Sequence, residues 1–212
     1  MKTFFAYLSF LSNYGLKLSC KIIFYEFKYR NYYKDYTPNY IPNNKLDIKG
    51  YDVQKITGYS PSYYYYLNQI KFFFKNKNLN FKNIYDIGFG TGRVLYFFNF
   101  LAKDIYGFEI SKKLFDIGEK KLKKVIGKDK NLKLMHQDAL NFSDFKNNSL
   151  IFIFDPFTKA EDLEILLKNL SNLKNSYLVY GNPRFRKIVK LRFNEILKNK
   201  NHNFRGLSIF KI

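Results

Sequence analysis

The chain has 212 residues and a formal net charge of +20, from 37 Lys and Arg against 17 Asp and Glu. With 46% hydrophobic and 20% aromatic residues it is not a disordered chain, and its length suits one sizeable core with an appendage. The charge would favour an anionic partner, nucleic acid or a membrane surface, yet the lysines are scattered, and an AT-rich coding sequence explains the excess of Lys, Asn, Ile, Phe and Tyr.

The longest basic cluster (Lys120, Lys121, Lys123, Lys124) falls where a solvated helix face is expected. The single Cys20 excludes an intramolecular disulfide and fits a reducing, cytoplasmic setting. The opening stretch, MKTFFAYLSFLSNYGLKLSC, has an apolar core from Phe4 to Leu11 that Asn13, Gly15 and Lys17 interrupt. It falls short of the roughly 20 apolar residues that span a bilayer, so no transmembrane segment is expected. Lys17 stands where a lipoprotein cleavage site needs a large aliphatic residue, which argues against lipidation of Cys20. What remains is an amphipathic aromatic segment running on through KIIFYEFKYR. It is expected to pack on the domain; the alternative is a place in a membrane interface, peripheral to the bilayer.

Residues 31 to 58 are rich in Tyr, Asn, Pro and Lys and read as a loop. Residues 1–55 thus form a helical and loop appendage to a domain over 56–212. Ser60 as N-cap and Pro61 at the first helical position predict a helix through YYYYLNQIKFFF. Beyond it, short apolar runs (NIYDIG, DIYGFEI, NLKLMH, SLIFIFD, NSYLVYGN) are separated by segments of helical spacing such as SKKLFDIGEKKLKKV and KAEDLEILLKNL. Alternating strands and helices predict an α/β fold, a Rossmann-like parallel sheet with helices on both faces. The last stretch, FNEILKNKNHNFRGLSIFKI, predicts a closing antiparallel hairpin. There is no internal repeat.

The stretch YDIGFGTG sits where the first of these strands turns into a helix. Ligands bind outside the carboxyl ends of strands in such sheets, and Gly88 and Gly90 let a ligand lie against bare peptide. The dinucleotide fingerprint G-x-G-x-x-G would need a glycine where Arg93 stands, and the phosphate loop is also absent. Instead the pattern is D-x-G-x-G-x-G, with Glu109 ending the next strand 23 residues after Asp86. A carboxylate there can accept from a ribose diol and would repel a phosphate.

In this arrangement the sequence resembles the class I S-adenosylmethionine-dependent methyltransferases over about residues 56 to 212. DIGFGTGR is similar to their first motif, GFEIS to the acidic second, HQDAL to the third and IFIFDPF to the fourth, in the right order. GYSPS ahead of them resembles a small bacterial subset whose fourth motif reads Asn-Pro-Phe; here Asp155 replaces the asparagine, which leaves the type of nucleophile open. The resemblance implies S-adenosyl-L-methionine as cofactor and methyl transfer as the activity. It implies that Asp86, Gly88 and Gly90 border the methionine half, with Phe89 and Gly92 completing the loop. Glu109, followed by Ile110, would hold the ribose; Asp138 and the Ala139 backbone would address the adenine. Asp155, Pro156 and Phe157 would line the entry of the methyl acceptor, and Tyr59 to Ser62 would form part of a lid.

Simpler roles stand beside these: Asp86 capping the turn, Glu109 as an exposed strand end, Asp138 as the N-cap before ALNF, Asp155 and Phe157 as structural residues. His136 and His202 lack the partners of a metal site or triad, and no metal is expected. The acceptor is not written in the chain: a small molecule, a glycan precursor or a protein side chain fits. The charge keeps an RNA-modifying enzyme as the alternative, although DPFT has one proline where amino-directed nucleic-acid enzymes show two. A methyltransferase-like binding module without activity is the third reading.

Overall fold

Strands that are apolar on both sides need cover on both faces, and that requirement organises the computed structural model, which describes residues 2–33, 62–154, 156–200 and 206–212. Most of the loop expected over 31 to 58, together with Tyr59, Ser60, Pro61 and Asp155, lies outside the described residues. Helices α1 (Lys2–Tyr33) and α2 (Tyr64–Asn76) come first. They are followed by β1 (Asn83–Ile87), α3 (Arg93–Phe98), β2 (Asp104–Phe108), α4 (Lys112–Val125) and β3 (Asn131–Met135). The chain continues through β4 (Ser149–Phe154), α5 (Ala160–Leu170), β5 (Tyr177–Gly181), α6 (Arg186–Arg192), β6 (Asn194–Lys200) and β7 (Gly206–Lys211).

One seven-stranded sheet has the order β3-β2-β1-β4-β5-β7-β6. Strands β1 to β5 pair in parallel, and β7 runs antiparallel to both β5 and β6, which is the closing hairpin the sequence predicts. Every residue of β1 is buried. Alternation sends Ile84, Leu150, Phe152 and Val179 to the face covered by α2 and α3, with Leu67 and Leu95. Tyr85, Ile151, Ile153 and Leu178 face the α5 side. There Leu163, Leu166, Leu167 and Leu170 recur at helical spacing and are all fully buried; each contributes about 1.5–3 kcal/mol.

Helix α1 is two helices across a kink at Gly15, where φ is 70° and ψ 159°. Its second half packs on the domain. Ser19 and Ile22 are buried, and the Tyr29 ring meets those of Tyr64 and Phe97 at 5.5 and 5.7 Å. Helix α2 begins at Tyr64, later than the expected start at Pro61, and Tyr63 is its N-cap residue with extended backbone. The reason is tertiary: the Tyr64 amide donates to Glu26 Oε1 at 2.7 Å, so α1 supplies the cap that Ser60 was expected to provide. On α4 the basic cluster is mostly solvated, as expected, with Lys120, Lys123 and Lys124 exposed. Among the described residues no helix is long and apolar enough to cross a membrane.

Candidate active site

From β1 the chain moves outward through β2 to β3, then crosses back to β4 on the other flank of β1. The carboxyl ends of β1 and β4 therefore border the switch point, where α/β sheets bind ligands. Gly88 follows β1 and Pro156 follows β4. Gly88 is exposed with φ at +75°, and a Cβ there would stand 3.5 Å from the Pro156 Cβ. A side chain would be strained at that φ and would narrow the crevice between the two turns.

Glu109 directly follows β2 and is 6% exposed. Its Oε2 accepts from the Gly90 amide and its Oε1 from the Ser111 amide, both at 2.8 Å. Burial pushes its carboxyl above the usual range, opposed by the amides of Ser111, Gly90 and Ile110 and by nearby His136. A carboxylate has about four lone-pair sites, so the two amides at 2.8 Å leave room for further donors. Glu109 is thus not an exposed strand end: it ties the glycine loop to the start of α4.

Asp86 lies one residue before the end of β1, in register with Gly107 and Phe152. It is 2% exposed, and its Oδ2 is a buried atom without a hydrogen-bond partner. Desolvation, with the Glu109 charge beside it, raises its pKa well above the ordinary value. A buried carboxylate oxygen that the protein leaves unmatched is suited to a cationic or hydrogen-bond-donating ligand.

Gly92 and Gly118 make room for the protein's own packing. Gly92, the N-cap of α3 with φ at 84°, would place a Cβ 2.7 Å from Leu122 of α4. On α4 itself a Cβ at Gly118 would fall 2.7 Å from the Gly90 carbonyl and 2.6 Å from the Phe89 ring. Phe89 is buried, with its ring 5.9 Å from that of Phe115. Its side chain is core, so within the loop only its backbone is available to a ligand.

Arg93 opens α3 and is 2% exposed. A cation in the first turn opposes the helix dipole, and burial adds to the cost. Glu26 of α1 offsets both: its Oε2 and Oε1 lie 3.0 and 3.2 Å from Arg93 Nη1. The Ser62 carbonyl accepts from the same nitrogen at 3.1 Å, and the guanidinium sits 4.5 Å from the Tyr64 ring centre. One carboxylate thus caps α2 and neutralises the arginine at the end of the glycine loop. Sequence reasoning missed this pair. The available signal was that Glu26 is the sole acid among the first 34 residues.

Asp138 Oδ1 accepts from the Leu140 amide at 2.9 Å, capping a short turn, while Ala139 is buried behind it. The Ile110 carbonyl accepts from His136 Nε2 at 3.0 Å, which joins the ends of β2 and β3. Phe157 is buried in the core of the α5 face and Pro156 is half-buried. Thus Asp86, Gly88, Glu109, Asp138 and Pro156 all stand at the carboxyl edge of the sheet, while Tyr59 and Asp155 are outside the described residues. Among the described residues no group of three His, Cys, Asp or Glu could hold a metal ion.

No family model matches the sequence, and no curated protein matches it. Solved structures do. A protein from Pyrococcus horikoshii with a provisional RNA methyltransferase assignment matches at TM-score 0.56 and 17% identity, over 79% of this chain and 90% of that one. The magnesium protoporphyrin IX methyltransferase of Synechocystis PCC 6803, with bound S-adenosylmethionine, matches at 0.52 and 18% identity, over 68% and 76% of the two chains. The N-methyltransferase NodS of Bradyrhizobium japonicum WM9 matches at 0.55 and 12% identity, over 68% and 91%. At these identities the likeness shows the fold alone, one that the chain shares with solved methyltransferases.

Proposed function

We propose that the chain is a methyltransferase that takes its methyl group from S-adenosyl-L-methionine. The observation that carries this reading is the unmatched, buried Asp86 Oδ2 behind the exposed Gly88 at the β1/β4 crevice. The donor is a cation with an ammonium group; burial disfavours the charged form of Asp86, and a cation bound beside that carboxyl would offset the cost and favour the carboxylate. Asp86 would face the ammonium, Gly88 and Gly90 would leave room along the methionine chain, Glu109 would take one ribose hydroxyl, and Asp138 would meet the adenine edge.

When bound, the donor supplies a methyl group already activated on a sulfonium. The protein's part is then position, orientation and exclusion of water. Pro156 and Phe157 would shape the entry of the acceptor. A base is needed where the acceptor must lose a proton early, and Asp155 has the sequence position for that role. An Asp155→Ala variant that binds donor normally and turns over at the full rate would remove it from the mechanism.

The acceptor class we infer is a small molecule, a glycan precursor or a protein side chain, because the DPFT turn lacks a second proline. An RNA acceptor is the second reading, favoured by the net charge of +20. Calorimetric titration with S-adenosylmethionine tests the donor: micromolar-range binding, on the order of −8 kcal/mol, is expected, weakened more than about tenfold in Asp86→Asn. Absence of binding would leave an inactive module with this fold. A labelled-methyl assay over separated RNA, protein, lipid and small-molecule fractions then identifies the acceptor; label in RNA alone would reverse the ranking.

A further inference from the structure

Helix α1 carries a second apolar face that is exposed among the described residues. Tyr25, Glu26, Tyr29, Ser19 and Ile22 turn inward to α2, Arg93 and the core. Leu16, Ile23, Phe24 and Phe27 point the other way and are 71, 48, 60 and 72% exposed. At 100° per residue these four, with the exposed Cys20, lie within one arc of the helix and form a stripe about 16 Å long. Monomeric proteins rarely leave such a contiguous apolar stripe in water.

The flank between this stripe and the inward face carries Lys17, Lys21 and Lys28, all exposed. Lys21 also stands on the rim of a groove of about 680 Å³ between α1, α2 and β6. Phe72, 66% exposed, Phe73, Lys77 and Lys198 continue its lining, and no carboxylate does. The surface therefore combines an apolar ridge, a row of cations beside it, and an aromatic trough with more cations.

We infer that this face is a docking surface for an anionic lipid bilayer, with the α1 stripe lying in the plane of the headgroups. A helix of this kind buries its apolar face at the headgroup boundary while basic residues meet the lipid phosphates. A second copy of the chain fits worse, because pairing the stripes would bring lysine rows of like sign together on molecules that each carry +20. Single-stranded RNA would use the aromatic rings and lysines, but Leu16 and Ile23 offer no ring face for base stacking. The inference is independent of the proposed activity.

The test is co-sedimentation of the full chain with phosphatidylcholine vesicles and with vesicles containing phosphatidylglycerol. Binding is expected to the anionic vesicles and to fall with salt. It should weaken about tenfold for each of Phe24→Ser and Phe27→Ser, and about fivefold for Lys21→Glu. All three residues are exposed, so unchanged melting curves will show that folding is intact. An environment-sensitive dye on Cys20, the chain's single cysteine, should shift to the blue when anionic vesicles are added. Failure to bind anionic vesicles, or binding that ignores the two phenylalanines, overturns the inference. So does loss of RNA-oligonucleotide binding or of self-association in these variants without any vesicle binding.

Discussion

Replacing Glu26 with alanine removes two contacts at once, the cap on the Tyr64 amide at 2.7 Å and the pair with Arg93 at 3.0 Å. Stranding one partner of a buried ion pair costs about 3–5 kcal/mol, and loss of an N-terminal cap adds about 1 kcal/mol. Two features reduce the sum. Glu26 is 17% exposed, so water can enter the gap, and Arg93 keeps the Ser62 carbonyl and the Tyr64 ring. We therefore expect a net loss of about 3 kcal/mol, a large share of the roughly 5–15 kcal/mol that holds a domain together. With a urea slope of about 2 kcal/mol/M the midpoint should fall by about 1.5 M. A Glu26→Leu/Arg93→Met double variant removes both charges and should recover most of this loss. Because Arg93 opens the helix that follows the glycine loop, Glu26→Ala should also weaken donor binding, while the double variant restores it in part. If the coupling energy from the full cycle is below about 0.5 kcal/mol, the pair does not hold the loop and the reasoning is wrong.

Gly118→Ala improves intrinsic helix propensity by about 1 kcal/mol but sets a Cβ 2.7 Å from the Gly90 carbonyl, an overpacking cost of about 1–3 kcal/mol. Urea unfolding should show net destabilisation, and a more stable variant would mean that the loop yields freely. Glu109→Gln turns one acceptor oxygen into a donor facing an amide N–H; about 1–3 kcal/mol of stability should be lost, and donor affinity with it. Unfolding and calorimetry on the same preparation check both. Glu195 is half-buried: burial raises its pKa, but the hydrogen bonds and charge of the Arg186 guanidinium outweigh that and hold it below the ordinary glutamate value. Its folded pKa is depressed, so its stabilisation is complete above the unfolded value of about 4.3 and fades as pH falls through the folded one. Acid titration of Arg186→Met should show less loss of stability below about pH 4 than the unaltered chain; an identical acid limb would show that the pair contributes nothing.

Much of the architecture is local in origin and therefore visible in the chain. The runs NIYDIG and SLIFIFD are apolar on both faces, so they imply parallel strands under two layers, and the GLSIFK stretch after a polar turn implies the closing hairpin. Backbone that enters positive φ favours glycine, so the corner at Gly88, where φ is 75°, is also visible in the residues. The same local rules could not distinguish what each glycine faces. Gly88 opens on the crevice, whereas Gly92 and Gly118 admit Leu122 and Phe89, neighbours that depend on how α4 lies against α3.

Charge is where sequence and structure part most. The sequence shows that Asp86 and Glu109 stand near the carboxyl ends of successive strands, but an acid's capacity depends on which donors reach it. Only the folded chain brings the Gly90 and Ser111 amides to Glu109 and leaves Asp86 Oδ2 with none. Glu26 gives the sharpest case, because its partner Arg93 is 67 residues away and no periodicity links them. What the sequence by itself determined is the set of elements and the glycine corner, since those follow from side-chain pattern and backbone stereochemistry. The tertiary structure alone decided which carboxylate is already occupied and which apolar face of α1 the described residues leave exposed, because both depend on contacts between residues distant along the chain.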